Sequence, residues 1–290
     1  MRTLMTGLGL LESPRWHGGR LWVADWTAGV IRAIDPAGRV EVVVEHRSLP
    51  LCFDFLPDGS LVLASGPRRA LLRRSADGTL TRYADLSALS RYGSNDIVVD
   101  GRGNTYVNNV NFDFAAGPPA GDPAPGFIAL VTADRQARVV AGDLAFPNGM
   151  AVTADNGTLV VAESYRHRLT AFDIRVDGSL ANRRVWADVG DHSPDGICLD
   201  REDAVWYADV GDRCCVRVGK GGQVLDRLQF DRGAFACMLG GPDGATLFVA
   251  VAHWPGPERL PDHTAWDGTV LSVPAPAAGA GWPGPQQVDL

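Results

Sequence analysis

One pattern occurs six times along the 290 residues of this chain: an apolar run, a tight polar turn, and a second apolar run. The turn is His17-Gly18-Gly19-Arg20 before Leu21-Trp22-Val23-Ala24-Asp25, and Pro57-Asp58-Gly59-Ser60 before Leu61-Val62-Leu63-Ala64. It is Asp100-Gly101-Arg102-Gly103-Asn104 before Thr105-Tyr106-Val107, and Asp155-Asn156-Gly157 before Leu159-Val160-Val161-Ala162-Glu163. The last two turns are Arg201-Glu202-Asp203 and Pro242-Asp243-Gly244. Copies start near residues 12, 52, 95, 148, 195 and 236, and a repeat of this length decides architecture before any local reading does. Asp, Asn and Gly supply the positive-φ turn positions that let neighbouring strands reverse and pair. Most copies carry a third strand and a further turn, as in Val30 to Ile34, then Asp35-Pro36-Ala37-Gly38, then Val40 to Val44. No helical periodicity runs beyond about two turns. The pattern predicts an all-β chain, a six-bladed β-propeller with four antiparallel strands per blade, in one domain spanning residues 1–290.

Composition narrows the function. The 34 glycines and 19 prolines suit the many turns of six blades. A net charge of −7 argues against a nucleic-acid partner, which requires a basic face, and favours a cation. No eighteen apolar residues run together, so no membrane span is expected. Met1 to Leu10 has too short an apolar stretch, and no cleavage region, for a signal peptide. The five cysteines, an odd number with Cys214 and Cys215 adjacent, form no disulfide framework. Cys52, Cys198 and Cys237 read as small core residues. The expected compartment is the cytoplasm, and the expected state a monomer or weak homo-oligomer.

Two segments interrupt the repeat after a second strand, the Pro/Gly-rich residues 111–126 and residues 254–266, and both are placed to fold over one face of the ring. Pro274 to Pro285 is Ala/Gly/Pro-rich and expected to be poorly ordered, up to any last strand at Gln287-Val288-Asp289.

Four acid or amide residues share one phase of the repeat: Glu12 in Glu12-Ser13-Pro14-Arg15-Trp16, Asn95 in Ser94-Asn95-Asp96, Asn148 in Pro147-Asn148-Gly149, and Asp195 in Pro194-Asp195-Gly196. Each is read as directly preceding a short buried strand. In a closed ring they converge on the axis. Two carboxylates and two amide carbonyls make a hard oxygen set of formal charge −2, suited to Ca²⁺, Mg²⁺ or Mn²⁺. Zn²⁺ prefers nitrogen and sulfur, and no His or Cys stands at these phases. Asn-Gly and Asp-Gly alone are usually hairpin turns. A proline before each, ahead of an apolar run and not between two, is what a turn leaves unexplained.

Taken in order, these motifs and the Leu-Trp-Val-Ala-Asp type of second strand resemble the gluconolactonase family, which includes senescence marker protein (regucalcin) and luciferin-regenerating enzyme, over about residues 10–273. The resemblance implies a six-bladed propeller with one divalent ion near the central channel. Positions matching Glu12, Asn148 and Asp195 would hold the ion, with Asn95 on the ion or on the substrate. Family members function with several metals, so calcium ranks first and zinc stays open. The implied reaction is metal-assisted hydrolysis of a small-molecule lactone, with Asp195 the candidate proton acceptor and Asp96 behind it. No Gly-x-Ser-x-Gly nucleophile is present.

Substrate contacts are expected just after the second strands, at Asp25, Trp26, Asn108, Asn109, Phe112, Glu163, Tyr165 and Asp209, with His253 a further candidate. Sugar lactonases resemble Arg-x-Asn-Asp at the third copy, where this chain has Gly93-Ser94-Asn95-Asp96. Without that arginine, a pocket with Trp26, Phe112, Tyr165 and Trp254 suits a less polar lactone or ester. Ester or phosphotriester hydrolysis on the same ion, and a metal-binding regulatory role without turnover, are the alternatives. His17, His46, His167, His192 and His263 read as surface or turn residues.

Overall fold

The computed structural model describes residues 1–116 and 124–281. These residues form 24 strands, numbered β1 to β24 in chain order, in six four-stranded antiparallel sheets. Among them there is no α-helix and no helix long and apolar enough to cross a membrane. The expected six-bladed β-propeller is the observed fold. The inner strands are β2 (Leu11–His17), β6 (Leu51–Phe55), β10 (Ile97–Val99), β14 (Pro147–Val152), β18 (Pro194–Leu199) and β22 (Gly233–Gly240).

The second strand of each blade shows why the apolar runs are continuous and not alternating. A central strand buries both faces, so both parities must be apolar. In β7 (Leu61–Ser65), Leu61 and Leu63 pack toward Trp22, Ile31 and Phe53, while Val62 and Ala64 pack toward Ile97, Val107 and Val131. In β19 (Val205–Asp209), Val205 and Tyr207 fill one gap between blades, and Trp206 and Ala208 fill the next. Turn residues take the backbone shape that the sequence requires of them. Gly59 and Gly103 have φ of +79° and +84°, and Asn156 reaches +58°.

Met1 to Leu10, read from the sequence only for the lack of a targeting signal, contains β1 (Arg2–Leu8). This strand pairs antiparallel with β24 (Gly268–Pro274), through Thr3 and Leu271, and completes the blade β22–β23–β24–β1, where β23 is Thr246–Ala252. Outer strands are largely solvent-facing, and β1 has little of the apolar signature that marks the inner ones.

The Ala/Gly-rich tail is ordered through residue 281, against expectation. The Arg201 N–H donates to Ala278 O at 2.9 Å, and the Ala280 N–H donates to Leu199 O at 3.0 Å. Its small side chains are what let it lie so close. A Cβ on Gly279 would stand 3.1 Å from Leu239 Cβ. Residues 282–290, with the Gln287-Val288-Asp289 strand suggested by the sequence, lie outside the described residues. So do residues 117–123 of the first insertion.

Deleting residues 1–8 leaves β24 as an open edge. The expected outcome is a drop of about 10 °C in the thermal midpoint followed by circular dichroism; an unchanged midpoint would show that β1 does not close the ring.

Candidate functional site

Four inner strands carry an irregularity near their starts. Register shifts fall between Glu12 and Arg15 in β2, between Pro147 and Met150 in β14, between Pro194 and Ile197 in β18, and between Ala234 and Ala236 in β22. An extra residue in a strand re-aims the side chains around it. Glu12, Asn148 and Asp195 therefore sit inside their strands, where the sequence reading put them just ahead; Asn95 does precede β10. Gly149 and Gly196 adopt no positive φ and are not turn glycines. A Cβ on Gly149 would lie 2.6 Å from Asp195 O, and one on Gly196 2.6 Å from Ala236 Cα. The backbones of β14, β18 and β22 meet here too closely for any other residue.

That approach brings polar groups together. Asn95 Nδ2 donates to Asn148 Oδ1 and to Pro147 O, both at 3.2 Å. Asn148 Nδ2 donates to Ser164 Oγ at 3.3 Å, and Ser164 Oγ donates to Pro194 O at 2.8 Å. Glu12, Asn95, Asp96, Asn148 and Trp26 border a cavity of about 20 Å³, with Gly196, the neighbour of Asp195, also in its wall. Burial pushes the Glu12 carboxyl well above its ordinary range, and Asp195 and Asp96 push it further. Asp195 is raised well above its ordinary range by burial, then by Asp209 and Asp96. Neither acid has an ion-pair partner among the described residues.

Asp96, read as a second proton-handling acid, has its oxygens occupied. Oδ1 accepts from Ser13 Oγ at 3.3 Å and faces Arg15 Nη2 at 3.7 Å, while Oδ2 accepts the Met150 N–H at 3.3 Å. The half-buried Arg15 also lies 3.3 Å from Asp54 Oδ1 and donates to Ile97 O at 2.6 Å. Asp96 thus ties β2, β10 and β14 together at the cavity wall. Asn108, an expected substrate contact, does likewise: its Oδ1 accepts the Asp96 N–H at 2.9 Å and its Nδ2 donates to Asn148 O at 2.5 Å. Sequence reasoning missed Arg15 and Ser164. A lone arginine in an apolar run was the available signal for the first, and nothing marked the second.

The acids that end second strands also hold the scaffold. Asp25, Glu163 and Asp209 are buried. They accept the N–H of Gly9 at 3.1 Å, of Ala145 at 2.9 Å and of Ser193 at 2.8 Å, each just before the inner strand of the same blade. Asn109 ties the same loop of its blade by donating to Tyr92 O at 3.1 Å and Gly93 O at 2.9 Å. Glu163 is further held by Thr170 Oγ1 at 2.5 Å, Arg168 at 2.8 Å and Arg166 and Arg183 at 3.2 Å. Burial raises its carboxyl, but the Thr170, Ala145 and Arg168 hydrogen bonds outweigh that and leave it below its ordinary value. The polar atoms of all four are engaged within their own blades. His253, the further candidate, is exposed and pairs with Asp267 at 2.6 Å.

The aromatic candidates form a different set. Phe146, directly before Pro147, contacts Phe112 at 5.8 Å, Phe114 at 5.3 Å and Tyr165 at 4.7 Å between ring centroids. Phe114 meets Trp254 at 6.3 Å, and Trp254 meets Phe235 at 6.0 Å and Trp266 at 5.7 Å. The two insertions thus touch over the ring face that carries the cavity. Trp26 borders both the small cavity and an open groove of about 450 Å³ lined by Thr27, Arg47, Leu49, Pro67 and Leu260. Its Nε1 is buried without a hydrogen-bond partner.

His192, read as a surface or turn residue, is only half-buried and faces two acids, with Nδ1 3.1 Å from Asp209 Oδ2 and 3.2 Å from Asp212 Oδ2. Among the described residues these three form a group close enough to hold an ion. Arg227 Nη1 stands 3.3 Å from Nε2, however. A guanidinium only donates, so Nε2 accepts and Nδ1 carries the proton toward the carboxylates. An ion on Nδ1 would require the opposite tautomer.

Six four-stranded blades with acid and amide groups gathered around the axis define a ring-shaped all-β class. Residues 10–253 match the SMP-30/Gluconolactonase/LRE-like region, and the chain belongs to that family. It is 27% identical over 247 residues to a 6-deoxy-6-sulfogluconolactonase of Pseudomonas putida, covering 82% of this chain and 81% of the relative. It is 29% identical to the diisopropyl-fluorophosphatase of Loligo vulgaris, over 53% of this chain and 52% of that one. A solved gluconolactonase of Xanthomonas campestris superposes with a TM-score of 0.74 at 25% identity, covering 93% of this chain and 88% of that one.

Gly196→Ala should cost about 1–3 kcal/mol, because the new methyl group meets the Ala236 backbone and not a movable side chain. Urea unfolding measures this; a variant as stable as the parent would mean that β18 and β22 can separate freely.

Proposed function

We propose that the protein is a metal-dependent hydrolase that opens a lactone or a similar ester. One observation carries the reading: Glu12 and Asp195 are half-buried beside one another, Asp195 and Asp96 raise the proton affinity of Glu12, Asp209 and Asp96 raise that of Asp195, and among the described residues no basic side chain forms an ion pair with either. Two desolvated carboxylates, of which only Glu12 feels a nearby cation, Arg15, are costly to ionise, and a dication between them would remove that cost. Asn148 Oδ1 accepts one hydrogen bond from Asn95 and retains a second lone pair. Glu12, Asn148 and Asp195 would hold the ion, with Asn95 orienting Asn148 or completing the set. All four are oxygen donors, which ranks Ca²⁺ first, with Mg²⁺, Mn²⁺ and Zn²⁺ as alternatives.

When bound, such an ion polarises a carbonyl oxygen and stabilises the charge that grows there as water attacks. Asp195 takes the proton of that water. Asp96 and Asn108 fix the backbone that carries Asn148. Trp26 and the rings from Tyr165 to Trp254 exclude bulk water and give the ligand an apolar wall. Position 93 offers no cation for sugar hydroxyls, so the reading favours a lactone less polar than an aldonolactone. The likeness to a diisopropyl-fluorophosphatase supports a second reading, phosphotriester hydrolysis on the same ion.

The first test is proton release from a panel of lactones and one phosphotriester, after chelation and after re-addition of each ion. Chelation should lower turnover at least about a hundredfold, with recovery on re-addition. Turnover that survives chelation sinks the reading, and preference for the phosphotriester selects the alternative. Asp195→Ala should abolish both calorimetric ion binding and turnover while the far-ultraviolet spectrum is kept; Asn95→Ala should reduce turnover more than ion affinity. Trp254→Ala should raise KM about tenfold for alkyl-substituted lactones and little for sugar lactones; equal effects on both would remove the apolar wall from the account.

A further inference from the structure

We infer that a second binding site, for small molecules bearing a phosphate group, lies at the ends of the blades opposite the acid and amide cluster. Glu12 opens β2 and His17 closes it, so the two sites lie at opposite ends of the same strand. His17, Trp22 and Phe55 contribute to a groove of about 670 Å³ built around the second blade, with β8 (Ala70–Arg74) and β9 (Leu80–Asp85) as its floor.

Its charge runs against that of the molecule. The chain carries −7 overall, yet Arg73, Arg74, Arg82 and Arg135 line this groove against one carboxylate, Asp58. Two of the four are already engaged: Arg73 binds Asp58 and donates from Nε to Ser60 Oγ at 2.9 Å, and Arg82 pairs with the exposed Asp85 at 2.9 Å. Among the described residues the other two have no carboxylate partner. Arg135 lies over the Tyr83 ring, with Cζ 5.4 Å from its centroid. Arg74 has its Nε buried without any hydrogen-bond partner.

The planar donor fork of arginine matches two oxygens of a phosphate at once. Gly78, at φ +89°, keeps the adjoining turn clear; a Cβ there would stand 3.4 Å from Arg74 Nη2. Trp22 and Phe55, the latter stacked on His17 at 3.8 Å, give an organic body an apolar wall beside the anion. Four arginines confined to one concavity, in an acidic molecule, fit a compact phosphate ester and not a long polyanion.

The test is calorimetric titration of the full chain with pyrophosphate and, separately, with adenosine monophosphate, in chelator so that no bound ion contributes. Saturable binding of either is expected, weakened at least about tenfold in Arg74→Met. Lactone turnover measured with metal present should be unchanged in that variant, because Arg74 is remote from Glu12 and Asp195. If Arg74→Met does not fold, Arg135→Met provides the same comparison. Absence of saturable heat with both probes, or binding of parental strength in the folded variant, overturns the inference.

Discussion

The architecture depends on how closely the inner strands pack around the axis. Gly149 and Gly196 stand where neighbouring backbone leaves no room for a methyl group. The adjacent strand bulges turn Asn148 and Asp195 out of the regular side-chain alternation. Dense packing and polar convergence are thus one event. Relaxing the contact to admit a larger residue would also move the acid and amide beside it.

Beneath this lies a division of labour among buried acids. Asp25, Glu163 and Asp209 each grip a backbone N–H and so hold the loop that leads into an inner strand. Asp54 and Asp96 share Arg15. Glu12 and Asp195 are left without an ion-pair partner among the described residues, and burial raises both. Neutralised and hydrogen-bonded acids build the frame, and unpaired ones mark where chemistry is poised.

The repeat made the blades legible, because both faces of a propeller strand are buried and an apolar run of either parity survives in the sequence. Pro147-Asn148-Gly149 and Pro194-Asp195-Gly196 were legible as something other than turns, for the glycines answer to a neighbouring strand. The roles of Asp25, Asn109, Glu163 and Asp209 were not. Their position after a second strand is visible in the sequence, but whether a side chain turns toward the axis or back to its own loop depends on a tertiary partner such as Gly9 or Ala145. β1 escaped because an outer strand needs little apolar character, and the structural role of Asp96 because its partner Arg15 lies some eighty positions away.

The pairing of β1 with β24 also has a kinetic meaning. Thr3 and Leu271 are joined across nearly the whole chain, so the ring cannot be sealed until the last blade has emerged and folded. Until then a strand of unpaired amides waits at the amino end, and the first blade has no neighbour on one side. Such long-range closure is slow because loop entropy must be overcome before any contact rewards it. The interval leaves an adhesive edge open to other copies of the chain, so the half-made ring, more than the finished one, is the species that needs protection from aggregation.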